Sequence, residues 1–116
     1  MDDLKDFMFV FRFEPQTDYQ PSPQEMNAQK QKWGIWIGGI ASQAKLVSTH
    51  QLGSTGRQLH ASGTTTDAVM IRDKMMVGGN MVVKAKTLDE ATEMAKGCPI
   101  LGTGGVVEVR DTIMNM

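Results

Sequence analysis

Few residues in this chain are equipped for chemistry, and they are scattered. Asp67 closes the run Thr64-Thr65-Thr66. A carboxylate there, beside an apolar pocket, would have a raised pKa and could act as a general base; an aspartate after threonines also closes a loop as an Asx turn. Arg12 stands among Phe7, Phe9, Phe11 and Phe13. Its guanidinium could hold a carboxylate or phosphate through paired hydrogen bonds, or it could bind Glu108 if the first and last strands are neighbours. Glu108 and Arg110 lie two residues apart on one strand face, either as ligand contacts or as parts of a structural ion pair. His50 and His60 titrate nearest neutral pH, although two exposed hairpin histidines are ordinary. Met70, Met75 and Met81 would form an adaptable apolar wall. Cys98 follows a helix C-terminus and precedes Pro99, the wrong end of a helix to stabilise a thiolate, and is expected to be a buried thiol. One cysteine and two histidines provide no metal set with recognisable spacing, and no metal is expected.

The elements that must position these groups follow from periodicity. From Asp6 to Phe13 the phenylalanines recur every second residue, which predicts a strand with one face in a core. Its other face carries Met8, Val10 and Arg12, more apolar than a solvated face needs. Ser22, Pro23 and Glu25 form a helix start with a capping box, and Met26, Trp33, Ile37 and Ile40 form the predicted buried stripe. Gly34, Gly38 and Gly39 each cost about 1 kcal/mol of helix propensity relative to alanine, which predicts a close helix-to-sheet contact. GIWIGGI lies within this helix rather than between a strand and a helix, so it is no phosphate loop; the cofactor, if any, is unknown.

Lys45–Leu52 reads as a strand that turns at GSTGR and pairs with the extended run RQLHASGTTTDAV. A strand over residues 75–86 follows, with Gly78 and Gly79 marking a bulge or close approach. Thr87-Leu88-Asp89-Glu90 is a second capping box, with Leu88, Ala91, Met94 and Ala95 as the apolar stripe and Gly97 as the stop. Val106–Thr112 is the last strand, and the tail from Ile113 extends or frays from it. The order predicts an α+β chain, a single unit over residues 1–116, with two helices on one face of a mostly antiparallel sheet in a ferredoxin-like layout.

Composition narrows the function classes. Twelve Lys plus Arg against thirteen Asp plus Glu give a formal charge of -1, without the basic footprint that nucleic acid or an anionic membrane attracts. No run approaches 18 apolar residues, the length a membrane span needs. The acidic start MDDLKDF is unlike a secretory leader, and a lone cysteine suits a reducing compartment. A cytoplasmic protein is expected. Ten methionines against seven aromatics are the compositional oddity.

Four stretches, QKWGIWIGGIASQAKLV, TTTDAVMIRDKMMVGGNMVV, LDEATEMAKGCP and VVEVR, together resemble the YCII-related (DGPF-domain) family of small bacterial proteins, over roughly Lys5 to Arg110. The resemblance implies a ferredoxin-like fold that pairs through its open sheet face into a dimeric α+β barrel, and hence a homodimer. That agrees with the apolar Met8 and Val10. Asp67 stands at the family's motif aspartate, but Ala68-Val69-Met70 replace the Gly-Pro-Phe that would fix the following turn. One branch of the family carries a His-Asp pair with the histidine on the first helix; Ser22 to Ala44 contains no histidine, so that pair does not carry over. Glu108-Val109-Arg110 match the family's ending. Two functional expectations remain. One is a small-molecule cleft, binding or enzymatic, near the sheet face, with Asp67 as base and Arg12, His50, Met70, Met81, Glu108 and Arg110 as ligand contacts. The other is a non-enzymatic dimer that binds a protein partner through methionine-rich loops.

Overall fold

The computed structural model describes residues 3–15 and 21–113. The strand expected from the phenylalanine alternation is β1, Lys5–Phe13, in which Phe7, Phe9 and Phe11 are buried while Met8, Val10 and Arg12 are half-buried on the other face. The chain then forms α1 (Pro23–Ser42), β2 (Leu46–Gln51), the two-residue strands β3 (Gln58–Leu59), β4 (Thr65–Thr66) and β5 (Ile71–Arg72), the long β6 (Met75–Ala85), α2 (Leu88–Ala95), a 3-10 turn (Pro99–Thr103) and β7 (Val106–Asp111). The main sheet runs β2-β6-β1-β7 with every pairing antiparallel. β1 and β2 therefore point the same way with β6 between them, and the arrangement is ferredoxin-like α+β. Among the described residues no helix is long and apolar enough to cross a membrane.

Helix starts follow the local chemistry. Ser22 Oγ accepts from the Glu25 amide at 3.1 Å, and Thr87 Oγ1 accepts from the Glu90 amide at 3.1 Å. Neither glutamate is bonded to its cap amide: the Glu25 carboxylate accepts from the Ser22 hydroxyl at 3.3 Å, and the Glu90 carboxylate accepts from Lys45 Nζ at 3.2 Å, which ties α2 to the start of β2. The core lies between the sheet and both helices, with Phe9, Met81 and Val83 fully buried at its centre.

Four expectations are corrected. β2 does not pair with residues 57–69; it pairs with β6, because only there does its backbone meet a long strand. Residues 57–69 instead close on themselves as the ribbon β3–β4, sealed where Gly56 packs on Val69, since a Cβ at Gly56 would lie 2.6 Å from Val69 Cγ1. Gly34, Gly38 and Gly39 do not approach the sheet, because nothing lies within 4 Å of a Cβ at any of them. They sit on the solvent side, beside Ile35. Met26 and Leu88 leave the buried stripes and are more than half exposed. Trp36, outside the expected stripe, joins the core instead. The sequence pattern also hides a tight hairpin: β5 and β6 are joined by Asp73 and Lys74 at φ 52 and φ 67, a two-residue turn that needs left-handed backbone at both positions. The segment between β1 and α1 and the tail from Ile113 fall partly outside the described residues.

The expected close approach at Gly78 and Gly79 is present. Phe11 pairs with Gly79 and Arg12 with Val77, so Gly78 is the extra residue of a bulge. A Cβ at Gly78 would lie 2.5 Å from Phe13 Cε1, and one at Gly79 would lie 2.5 Å from the His50 carbonyl oxygen. Only glycine fits either place.

Helix α1 ends in a Schellman motif: the Lys45 amide donates to Ile40 O at 3.3 Å and the Ala44 amide to Ala41 O at 3.0 Å. Ala44 therefore sits at φ 58, where glycine is the usual residue. Ala44→Gly is expected to stabilise the fold by about 0.5–1 kcal/mol. Gly38→Ala, whose added methyl meets open space, is expected to gain about 0.5–1 kcal/mol as well. Equilibrium urea unfolding followed by circular dichroism checks both, and a lowered midpoint in either variant would contradict the backbone or the placement described.

Candidate functional site

The site begins with how α1 is fastened. Trp33 meets Phe11 edge-on at 5.2 Å between ring centroids, while Trp36 stacks on Phe9 at 6.1 Å and meets Phe11 at 6.0 Å. Trp36 Nε1 donates to the Met94 carbonyl at 3.0 Å, so the same ring joins α1 to α2. Gly97 makes room for it: a Cβ there would lie 3.0 Å from Trp36 Cδ1. All of these contacts, with buried Ile40, hold the second half of the helix. The first half runs out past the sheet, and Met26 there is 57% exposed.

Beneath that overhang opens a cleft of about 960 Å³. Phe11, Phe13, Trp33, Ile37 and Ile100 supply its apolar surface, the Thr49–Gln51 end of β2 borders it, and Glu25, Lys30 and Lys32 line it from the helix. Gly78 and Gly79 border it with backbone alone.

The expected site residues divide among four places. Arg12, Glu108, Arg110 and His50 share, by register, the open sheet face with Met8, Val10 and Val82, but His50 stands on the opposite edge strand from Glu108 and Arg110, with β6 and β1 between. Arg12 Nη1 donates to Glu108 Oε1 at 2.5 Å, and His50 Nδ1 lies 3.4 Å from Asn80 Oδ1. The hydrogen bond from Arg12, reinforced by the charges of Arg12 and Arg110, holds the Glu108 carboxyl below its ordinary value of 4.5. Glu108 and Arg110 also border a second cleft of about 810 Å³, with Lys5, Thr87 and Asp111.

Asp67 lies apart, on the projecting ribbon, with its side chain 78% exposed and Oδ1 accepting from Arg57 Nε at 2.6 Å. Met70 is exposed nearby in sequence, just before β5. Met81 is a correction: it is fully buried in the central strand against the helices and lines neither cleft. His50 alone of the expected residues borders the larger cleft. Cys98 is buried as expected, and burial pushes its thiol up to about 11. Among the described residues no cluster of three His, Cys, Asp or Glu could hold a metal ion.

Two contributors fall outside the residues expected for the site. Trp36 lies three residues after Trp33 and four before Ile40, a helical spacing that puts it on the same buried face. Lys30 has a signal: the stripe Met26, Trp33, Ile37, Ile40 skips seven residues at its first step, and the omitted position, four after Met26 and three before Trp33, is Lys30.

The family model described as the YCII-related domain matches residues 19–114. The chain belongs to that family. No curated protein matches it at a significant level.

The Arg12–Glu108 pair makes a pH-dependent contribution whose sign is fixed. A carboxyl with a depressed folded-state pKa stabilises the fold above its unfolded pKa and loses that contribution as pH falls through the lower folded value. In a heteronuclear NMR titration Glu108 is expected to titrate below 4.5, and in Arg12→Gln to move back up toward that value. An unchanged Glu108 titration in the variant would mean that Arg12 is not its partner.

Proposed function

We propose that this YCII-related chain binds a small molecule in the cleft beneath α1, and that it works as a homodimer closed through the open sheet face. The observation that carries the binding reading is the cleft: about 960 Å³, within the size range of small-molecule sites, mostly apolar, and bordered by a few polar groups. The pairing is supported by the face opposite the helices. Met8, Val10 and Val82 are half-buried there between the pairs Arg12–Glu108 and Asp6–Lys84. Covering them gains about 25 cal/mol per Å² of apolar area, and the ion pairs around them would set the register of two copies. Because the cleft lies on the helix side, pairing leaves it accessible.

The reading is of binding rather than of a reaction. Asp67, the carboxylate expected to serve as a base, faces solvent against Arg57 and does not line the cleft. The free, buried Cys98 and the formal charge of -1 support placing the protein in the cytoplasm with no nucleic-acid partner.

A second reading, a protein partner bound through the methionine-rich segment, is favoured by one observation: Leu59, Met70 and Ile71 are each more than half exposed. A Met70→Ser, Ile71→Ser variant tests this segment separately, because under the first reading it leaves dimer and cleft unchanged.

Sedimentation tests the pairing. A dimer is expected at tens of micromolar, and Met8→Asp, which buries an unpaired carboxylate in the contact, is expected to yield a folded monomer. A wild-type monomer at that concentration would overturn the dimer.

A further inference from the structure

The cleft beneath α1 is chemically uneven. Its inner surface is Phe11, Phe13, Trp33 and Ile37, whereas the helix brings Lys30 and Lys32 to it against one carboxylate, Glu25. That carboxylate already accepts from the Ser22 hydroxyl at 3.3 Å. Among the described residues neither lysine has an ion-pair partner; the acidic groups that do pair engage Lys45, Arg57, Lys84, Lys96 and Arg12.

The position of Lys30 is the informative part. It stands four residues after Met26 and three before Trp33, exposed where the helix has left the core and bordering the cleft. Lys32, two residues on and therefore on another flank of the helix, is also exposed and borders the same cleft.

Resting on the reading of this cleft as the ligand site, we propose that it takes a small organic acid, with its apolar ring-bearing body against Phe13 and Trp33 and its anionic group at the rim that Lys30 and Lys32 line. The aromatic lining favours offset or edge contacts with a ring. Two unpaired ammonium groups over a low-dielectric surface attract an anion and disfavour a cation.

A matched pair of fluorescent probes tests this on the whole chain: anilinonaphthalene sulfonate and its neutral parent phenylnaphthylamine, which share a ring system and differ by the sulfonate. The sulfonate is expected to bind about tenfold or more tighter, with NMR shifts at the Trp33 indole and the Gly78 and Gly79 amides. In Lys30→Gln, Lys32→Gln that advantage is expected to fall to about twofold or less, while the affinity for the neutral parent stays unchanged; added salt should weaken only the sulfonate. Equal affinity for the two probes in the wild type would overturn the organic-acid class and leave the cleft standing as an apolar site. An advantage that survives in the double variant would overturn the role of the two lysines. The absence of shifts at Trp33, Gly78 and Gly79 with either probe would overturn the cleft reading itself.

Discussion

The aromatic seam between α1 and β1 is the contact on which the rest of this structure depends. Four rings, Phe9, Phe11, Trp33 and Trp36, meet in four pairs at 5.2–6.1 Å between centroids, each pair contributing about 0.5–1.5 kcal/mol beyond the area it buries. Every one of these contacts falls in the second half of the helix. A helix of 20 residues anchored only there must extend past the sheet, and the space it roofs is the cleft. The Trp36 hydrogen bond to the Met94 carbonyl extends the same seam to α2, so a single ring joins both helices over the sheet.

The two faces of the sheet answer different demands. Toward the helices, β1 and β6 present Phe7, Phe9, Phe11, Met81, Val83 and Ala85, all buried. Away from them, the same strands present Met8, Val10 and Val82 among paired charges. Strand alternation makes this division unavoidable, since moving any residue by one position would exchange the faces. A face that is apolar at its centre and charged at its margin is poorly suited to water and well suited to a second copy of itself.

What could be read in the sequence was whatever repeats locally. Phenylalanines at spacing two, serine or threonine three residues before glutamate, and glycine before proline each encode an element through neighbours in the chain, and β1, α1, α2 and β7 emerged close to their observed limits. Partnership between strands is not encoded locally. The run after Lys45 carries the same β-branched composition whether it pairs with β6 or with residues 57–69, and only the length of β6 decides between them. The glycines of α1 show the same limit: a helical glycine signals either close packing or its absence, and Gly34, Gly38 and Gly39 represent the second case. The candidate site was legible in its parts, Phe11, Phe13, Trp33, Gly78 and Gly79, but not as a site, because these residues come from three elements that meet only after folding. Asp67 is the reverse case: its chemistry is conspicuous in sequence, and its place on the ribbon is not.

The methionines sharpen that distinction. Grouped by number along the chain, Met70, Met75, Met76 and Met81 suggest one resurfaced pocket wall; in space they divide by strand geometry. Met81 belongs to the core face of β6, Met75 and Met76 follow the tight Asp73–Lys74 turn, and Met70 is exposed before β5. Among the described residues, the methionine that reaches the cleft is Met26, on the overhanging helix. A flexible, polarisable side chain at the rim of an apolar space can adapt to ligands of different outline, whereas the rings behind it are locked by their mutual contacts. Selectivity in such a cleft would then come less from shape at the mouth than from the fixed aromatic floor and from the two lysines that stand beside it, which is a division of labour set by the same seam that leaves the helix overhanging.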